Sequence, residues 1–312
     1  MLLFLIIFGL GLLLFGAQFL VDASIGIARR FKISEFVIGL TLVTIGTSIP
    51  ELVVSITGAV YRMRGVAVSD LVVGEIVGSD IGQIGLVLGL VGLFGAIDMK
   101  RKALFYQSVF MIGSVVLLFI FGQDYFLSRL EGMTFLGLYL LYIIPIGRGG
   151  SSVRHGTKKK KSNLWVDWSK LIIGLIGIVF GAKMAIDNSV LLADQFHISK
   201  TFIGIFILGF GTSLPELVVA ITAYIKRAKG ISIGNIIGSN IFDTLVGLGA
   251  GASLVGFNID SQIMNFDIPF LLFLSVIVVV FFYTKKSLEK KESILIISLY
   301  GGYVLLKLLS LS

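Results

Sequence analysis

A stretch of 43 residues beginning at Gly9 returns without a gap from Gly174, 165 positions later, with 18 of the 43 positions identical. Both copies end in the same motif, GTSIPE at 46–51 and GTSLPE at 211–216. A second match follows at an offset of 160: GEIVGSDI from Gly74 against GNIIGSNI from Gly234. The first half therefore carries five extra residues, near Arg62 to Asp70. Any fold for this chain has to accommodate two related halves.

The repeated material is apolar. Apolar segments lie near 2–22, 36–60, 68–94, 103–121, 132–147, 169–190, 201–225, 231–256, 267–283 and 292–310. Most approach the ~20 residues needed to cross a hydrocarbon core. Only 14% of the chain is charged and the mean hydropathy is +1.00, against about 25% charged residues in soluble domains. Bare backbone polar groups are not tolerated in lipid, so the segments are read as helices. The alternating ten-residue strands of a membrane barrel are absent. Met1 to Leu20 has no preceding basic residue and no clear cleavage site, and reads as a first helix rather than a removed signal.

Between the halves lies GRGGSSVRHGTKKKKSN, residues 147–163, polar and basic. It divides ten segments into five and five. Five is odd, so the second copy must enter the membrane facing the other way, the inverted-repeat plan of many secondary transporters. The reading is an all-α membrane protein of ten transmembrane helices in two inverted five-helix repeats, with helices 2 and 7 broken. Residues 1–147 form the first repeat, 148–168 a cytoplasmic basic linker and 169–312 the second repeat. Of the 26 Lys and Arg residues, 20 fall in loops on the linker's side, while Arg62, Arg64, Arg129 and Lys200 fall opposite. This bias places the linker in the cytoplasm and both termini outside a cell membrane.

Composition excludes several chemistries. There are no cysteines, so disulfides and thiolate sites are out. His155 and His197 lie outside the apolar segments, which argues against zinc and leaves Ser48 or Ser213 without a base for intramembrane hydrolysis. No P-loop spacing occurs. The net charge of +8 is explained by topology rather than by nucleic acid, because the basic residues sit between apolar runs. The chain is read as a non-enzyme without a cofactor, in contact with lipid, with its oligomeric state left open and a monomer as one candidate.

Acids inside the apolar segments carry the chemistry: Glu51, Glu75, Asp80, Glu216 and Asp243. Each costs about 2.5–3.5 kcal/mol at a helix centre, so something has to compensate them. In GTSIPEL and GTSLPEL a proline interrupts the run, removing a backbone donor and clashing with the preceding turn. The break frees carbonyls that suit a hard cation. The half-helix beginning there has a positive end that favours Glu51 or Glu216. The inverted repeat is expected to bring the two breaks together near the middle of the membrane. The plainer alternative is a capping box at Ser48-x-x-Glu51 and Ser213-x-x-Glu216. In GSDIGQ and GSNIFD, Ser79 and Gln83, and Ser239 and Asp243, are four apart and share a helix face. Small-residue packing accounts for Gly78 and Gly238 but not for a buried Asp243.

These paired motifs resemble the two alpha-repeats of the calcium/cation antiporter superfamily, most closely its sodium/calcium exchanger branch, over nearly the whole chain. The resemblance implies that Glu51 and Glu216 ligate calcium with main-chain oxygens of Thr47 and Thr212. It implies that Ser48, Ser213, Ser79 and Ser239 join sodium sites, and that Asp243 is the second repeat's acid. Main-chain oxygens near Thr44 and Gly209 are further candidates. Gln83 stands where the family usually has asparagine, and Glu75 and Asp80 replace residues that are typically neutral. The Gly-Asn-x-x-Glu motif of the proton-coupled branch is absent. The expected function is sodium/calcium antiport by alternating access. Calcium/proton exchange, potassium-dependent sodium/calcium exchange and a cation channel rank below it.

Overall fold

The computed structural model of the chain describes residues 1–95, 97–98, 101–148, 164–195, 211, 213–285 and 287–310. Among these, eight helices are long and apolar enough to cross a membrane. Two further helices that meet at a sharp bend are together long and apolar enough for a ninth. In chain order the helices are α1 Leu2–Phe31, α2 Glu35–Thr47, α3 Ile49–Met63, α4 Ser69–Phe94, α5 Arg101–Phe121 and α6 Arg129–Arg148. They continue as α7 Leu164–Gln195, α8 Leu214–Ile225, α9 Lys229–Val255, α10 Ile263–Thr284 and α11 Lys290–Ser310.

The break expected in the second helix is present. α2 and α3 are bent by 46° about Ser48. Pro50 lies in the first turn of α3, where its ring would clash with the Gly46 carbonyl of a continuous helix. Pro215 occupies the same place in α8. Thr212 and the front of the segment expected at 201–225 lie outside the described residues, so only the second half-helix of that span is seen.

Two expectations need correction. The first helix was expected to end near residue 22 but runs to Phe31. Its last turns leave the apolar pattern, yet Ala23, Ser24, Ile27 and Ala28 are buried, so packing rather than hydropathy carries it on. The linker was expected over 148–168, but Leu164 to Trp168 already form the first turns of α7. Residues 149–163 lie outside the described residues.

The chain forms two compact units, each drawing on both sequence halves. The first holds α1, α2, α7, α8, the start of α9 and the end of α11. Its core joins Ala17, Leu20 and Val21 of α1 to Leu171 and Ile178 of α7 and Val219 of α8. α1 and α7 run antiparallel and nearly touch: a Cβ on Gly16 would lie 2.7 Å from the Gly174 carbonyl oxygen. Lys226 ties α8's end to α1, pairing with Asp22 at 2.7 Å and donating to the Gln18 carbonyl at 3.1 Å.

The second unit holds α3 to α6, the rest of α9, α10 and the first part of α11. Four two-residue strands lie in its connections: β1 Ile97–Asp98, β2 Phe126–Leu127, β3 Phe257–Asn258 and β4 Ser287–Leu288. β1 pairs antiparallel with β4, and β2 with β3. Arg62, in the five-residue excess of the first half, bonds Ser69 and Asn258 and stacks over Phe126, which fastens the α3–α4 turn to the second ribbon.

Gly16→Val should force α1 off α7 and destabilise the fold by about 1–3 kcal/mol. Gly11→Ala, with nothing within 4 Å of its added Cβ, should leave stability unchanged or raise it by up to about 1 kcal/mol. Thermal unfolding of both variants in detergent checks the pair.

Candidate cation site

In the second unit the break at Ser48 sets Glu51 in the first turn of α3, where the helix end favours negative charge. Glu51 is fully buried. The Ser48 side chain makes no capping hydrogen bond, and neither does that of Ser213 at the start of α8, so the capping-box alternative fails in both halves.

A chain of polar contacts runs from Glu51 across two further helices. Ser79 Oγ of α4 donates to Glu51 Oε1 at 3.5 Å. Gln83 Nε2 donates to Ser79 Oγ at 3.2 Å and to Asp243 Oδ2 of α9 at 2.9 Å. Gln83 Oε1 accepts from Asn240 Nδ2 at 2.9 Å. Ser48 lies beside the same Asp243 carboxylate. One turn away, Thr244 Oγ1 donates to Asp80 Oδ2 at 2.8 Å. All of these side chains are buried. The extra length of Gln83 over asparagine lets one amide serve three partners on two helices.

Both helices leave the α-helical ladder at this point. α4 makes a π turn over Gln83–Leu88 and α9 makes one over Asp243–Leu248. Each π turn begins on the residue that the sequence singles out. A π turn inserts a residue into the helix, re-aims the side chains around it, and recurs at functional sites.

Ser239, one turn before Asp243, is fully buried, and its Oγ has no hydrogen-bond partner among the described residues. Thr47, Ser213 and Glu216 belong to the first unit. There Thr47 Oγ1 donates to Asn235 Oδ1 at 3.1 Å and to the Thr44 carbonyl at 3.4 Å. Thr44 donates in turn to the Gly39 and Asn235 carbonyls. Glu216 is fully buried in the first turn of α8. Among the described residues, no three acidic, histidine or cysteine side chains close on one point. A cation held here must draw on neutral oxygens as well, which calcium accepts readily.

Reading the sequence alone misses Asn240 and Thr244 as working partners. Their signal is an amide and a hydroxyl amid an apolar run, and it is masked by their acidic neighbour. It also misses Asp267, buried within α10, because that acid lies at the start of its apolar segment and looks like a boundary.

The family model described as sodium/calcium exchanger protein matches residues 1–146 and 167–309. This chain belongs to that family. Among its relatives, the inner membrane protein YrbG of Escherichia coli is 34% identical over 286 residues, 88% of this chain and 86% of that protein. The sodium/calcium exchanger MaX1 of Methanosarcina acetivorans is 28% identical over 341 residues, 96% of each. A solved structure of the sodium-calcium exchanger NCX_Mj superposes with a TM-score of 0.82 at 31% identity, covering 96% of both chains. The family's fold is thus the fold of this chain, and the chain is a multi-pass membrane protein.

Thr244→Val should leave Asp80 short of a donor in the membrane interior and cost about 1–3 kcal/mol. Thr244→Ser, which keeps the hydroxyl, should recover most of that loss. Melting temperatures of the two variants side by side give the answer.

Proposed function

We propose that the chain is a secondary active antiporter that exchanges sodium for calcium across a cell membrane by alternating access. The observation that carries the reading is the buried contact chain Glu51, Ser79, Gln83 and Asp243, in which neutral hydroxyl and amide donors reach two carboxylates inside apolar helices. Neutral donors orient a carboxylate without cancelling its charge, and at membrane depth that charge calls for a counter-ion. Membership of the exchanger family, and relatives named as sodium/calcium exchangers, point to calcium and sodium as that counter-ion.

The metal ligands on this reading are Glu51, Glu216 and Asp243, joined by Ser48, Ser79, Gln83, Ser213 and Ser239 and by oxygens of Thr47 and Thr212. One calcium neutralises two carboxylates, and sodium ions compete for the same oxygens. An empty set of carboxylates repels itself and resists enclosure, whereas a filled one does not. Exchange then follows from competition. α1 and α7, which meet through small residues, are the moving pair.

The architecture proposed with this function is ten helices in two inverted five-helix repeats, residues 1–147 and 169–312, joined by a cytoplasmic linker. The small ribbons support it. β1 and β3 begin 160 residues apart, at the offset of the second sequence match, and β2 and β4 begin 161 apart. Each ribbon joins one strand of either half, and paired strands must share a membrane side. The charge bias puts the β1 and β4 connections on the linker's side and the β2 and β3 connections opposite, so both pairings agree with it.

The test is calcium uptake by the purified protein in vesicles with and without an inside sodium load. Uptake should require the load. Glu51→Gln and Glu216→Gln should each abolish uptake while the protein stays folded, and full uptake by either would remove that residue from the site. Gln83→Asn, which shortens the bridge between α4 and α9, should shift the sodium dependence of uptake more than its calcium affinity.

A further inference from the structure

The proposed exchange leaves Glu75, an acid within an apolar helix of the second unit, without a task. Glu75 lies on α4 four residues before Ser79, which is four before Gln83. Such spacing sets all three in one row along the helix. Both carboxylate oxygens of Glu75 are buried, and neither has a hydrogen-bond partner among the described residues. The Glu75 carboxylate lies within electrostatic reach of Asp243 on α9. α4 contains no lysine or arginine. Lys229, the one basic residue of α9, sits at that helix's first position in the other unit, over the ring of Tyr224.

The repeat supplies a comparison within the same chain. The position matched to Glu75 is Asn235, which is fully buried, and its side-chain oxygen accepts from Thr47. A neutral amide thus fills this place in the second half, with its oxygen bonded and its Nδ2 without a partner among the described residues. Asp80 is matched by Asn240 and also carries an added charge, but Asp80 accepts the Thr244 hydroxyl. Glu75 has the added charge, lacks that support, and has a second carboxylate nearby.

We propose that Glu75, together with Asp243, holds one additional alkali cation of the sodium class, a turn along α4 from Ser79. Replacing asparagine by glutamate adds a single negative charge, which one monovalent ion cancels and a divalent ion would overshoot. Calcium also asks for six to eight oxygens, against the four that two carboxylates carry. This inference rests on the exchange reading and deepens it: the chain moves one more sodium per calcium than it would with asparagine at position 75.

The experiment compares the wild type, E75Q and E75N in vesicles, reading the sodium steepness and the reversal potential of calcium flux. E75Q is the isostere of a protonated acid, and E75N borrows the residue the chain already buries at the matched position. Both variants should still exchange, with shallower sodium dependence and a reversal potential shifted by the loss of one sodium per calcium. Wild-type steepness and reversal potential in both variants would overturn the proposal, since Glu75 would then carry a proton throughout or only fill space. A wild type with no sodium-driven calcium flux would instead sink the exchange reading. In that event sodium-dependent thermal stabilisation of the purified proteins decides this point: loss of part of it in E75Q supports the site, and full retention overturns it.

Discussion

A carboxylate at membrane depth sets the terms for everything around it. Removing it from water costs several kcal/mol, and hydroxyls and amides are among the donors that meet it here. Ser79 and Gln83 reach Glu51 and Asp243, and Thr244 reaches Asp80. Such hydrogen bonds fix direction but leave the charge in place. The fold adds what backbone can offer: a helix broken at Ser48, so that Glu51 sits at a positive end, and π turns that start on Gln83 and Asp243. These features are costly in a continuous helix. They make sense together as the preparation of a place for positive charge that arrives from outside the chain.

The two halves solve this problem unequally, and the inequality lets them fit. Matched positions on α4 and α9 are Glu75 and Asn235, Asp80 and Asn240, Gln83 and Asp243. At each place one member is an acid and the other an amide. At two of these places the acid faces a neutral donor: Asp80 receives Thr244, and Asp243 receives Gln83, which in turn receives Asn240; Glu75 is the exception. A strictly duplicated sequence would set acid against acid and drive the helices apart by like-charge repulsion. Divergence between the repeats reads as the removal of that conflict.

Hydropathy and the repeat make most of the membrane-spanning helices legible, because lipid forces apolar runs into helices and leaves few alternatives. Pro50 makes the break at Ser48 legible, since a proline's effect is local. The reach of α1 to Phe31 is not legible, because its last turns are held by contacts with residues distant in sequence. The π turns are equally silent, having no composition of their own. In the site, Glu51 and Asp243 stand out as acids in apolar runs, and the four-residue spacing of Ser79 and Gln83 already places them on one face. What spacing cannot say is that Gln83 binds across to another helix. That requires knowing which face of α9 lies opposite, and packing decides it.

Gln83 shows why the site suits exchange rather than permanent binding. Its amide donates to Asp243 and Ser79, both proposed ligands, and its oxygen is already engaged by Asn240. A cation that takes Asp243 Oδ2 or Ser79 Oγ shares that oxygen with the Gln83 amide, whose positive end then lies close to the ion and opposes it. Asp243 keeps its second oxygen, Oδ1, without a hydrogen-bond partner among the described residues, so the arrangement still has room for an ion. A ligand set locked into ideal coordination would hold its ion too firmly to release it. On the proposed reading, the competing hydrogen bonds of one glutamine help keep the bound and released states close in free energy, which a transporter needs in order to let go.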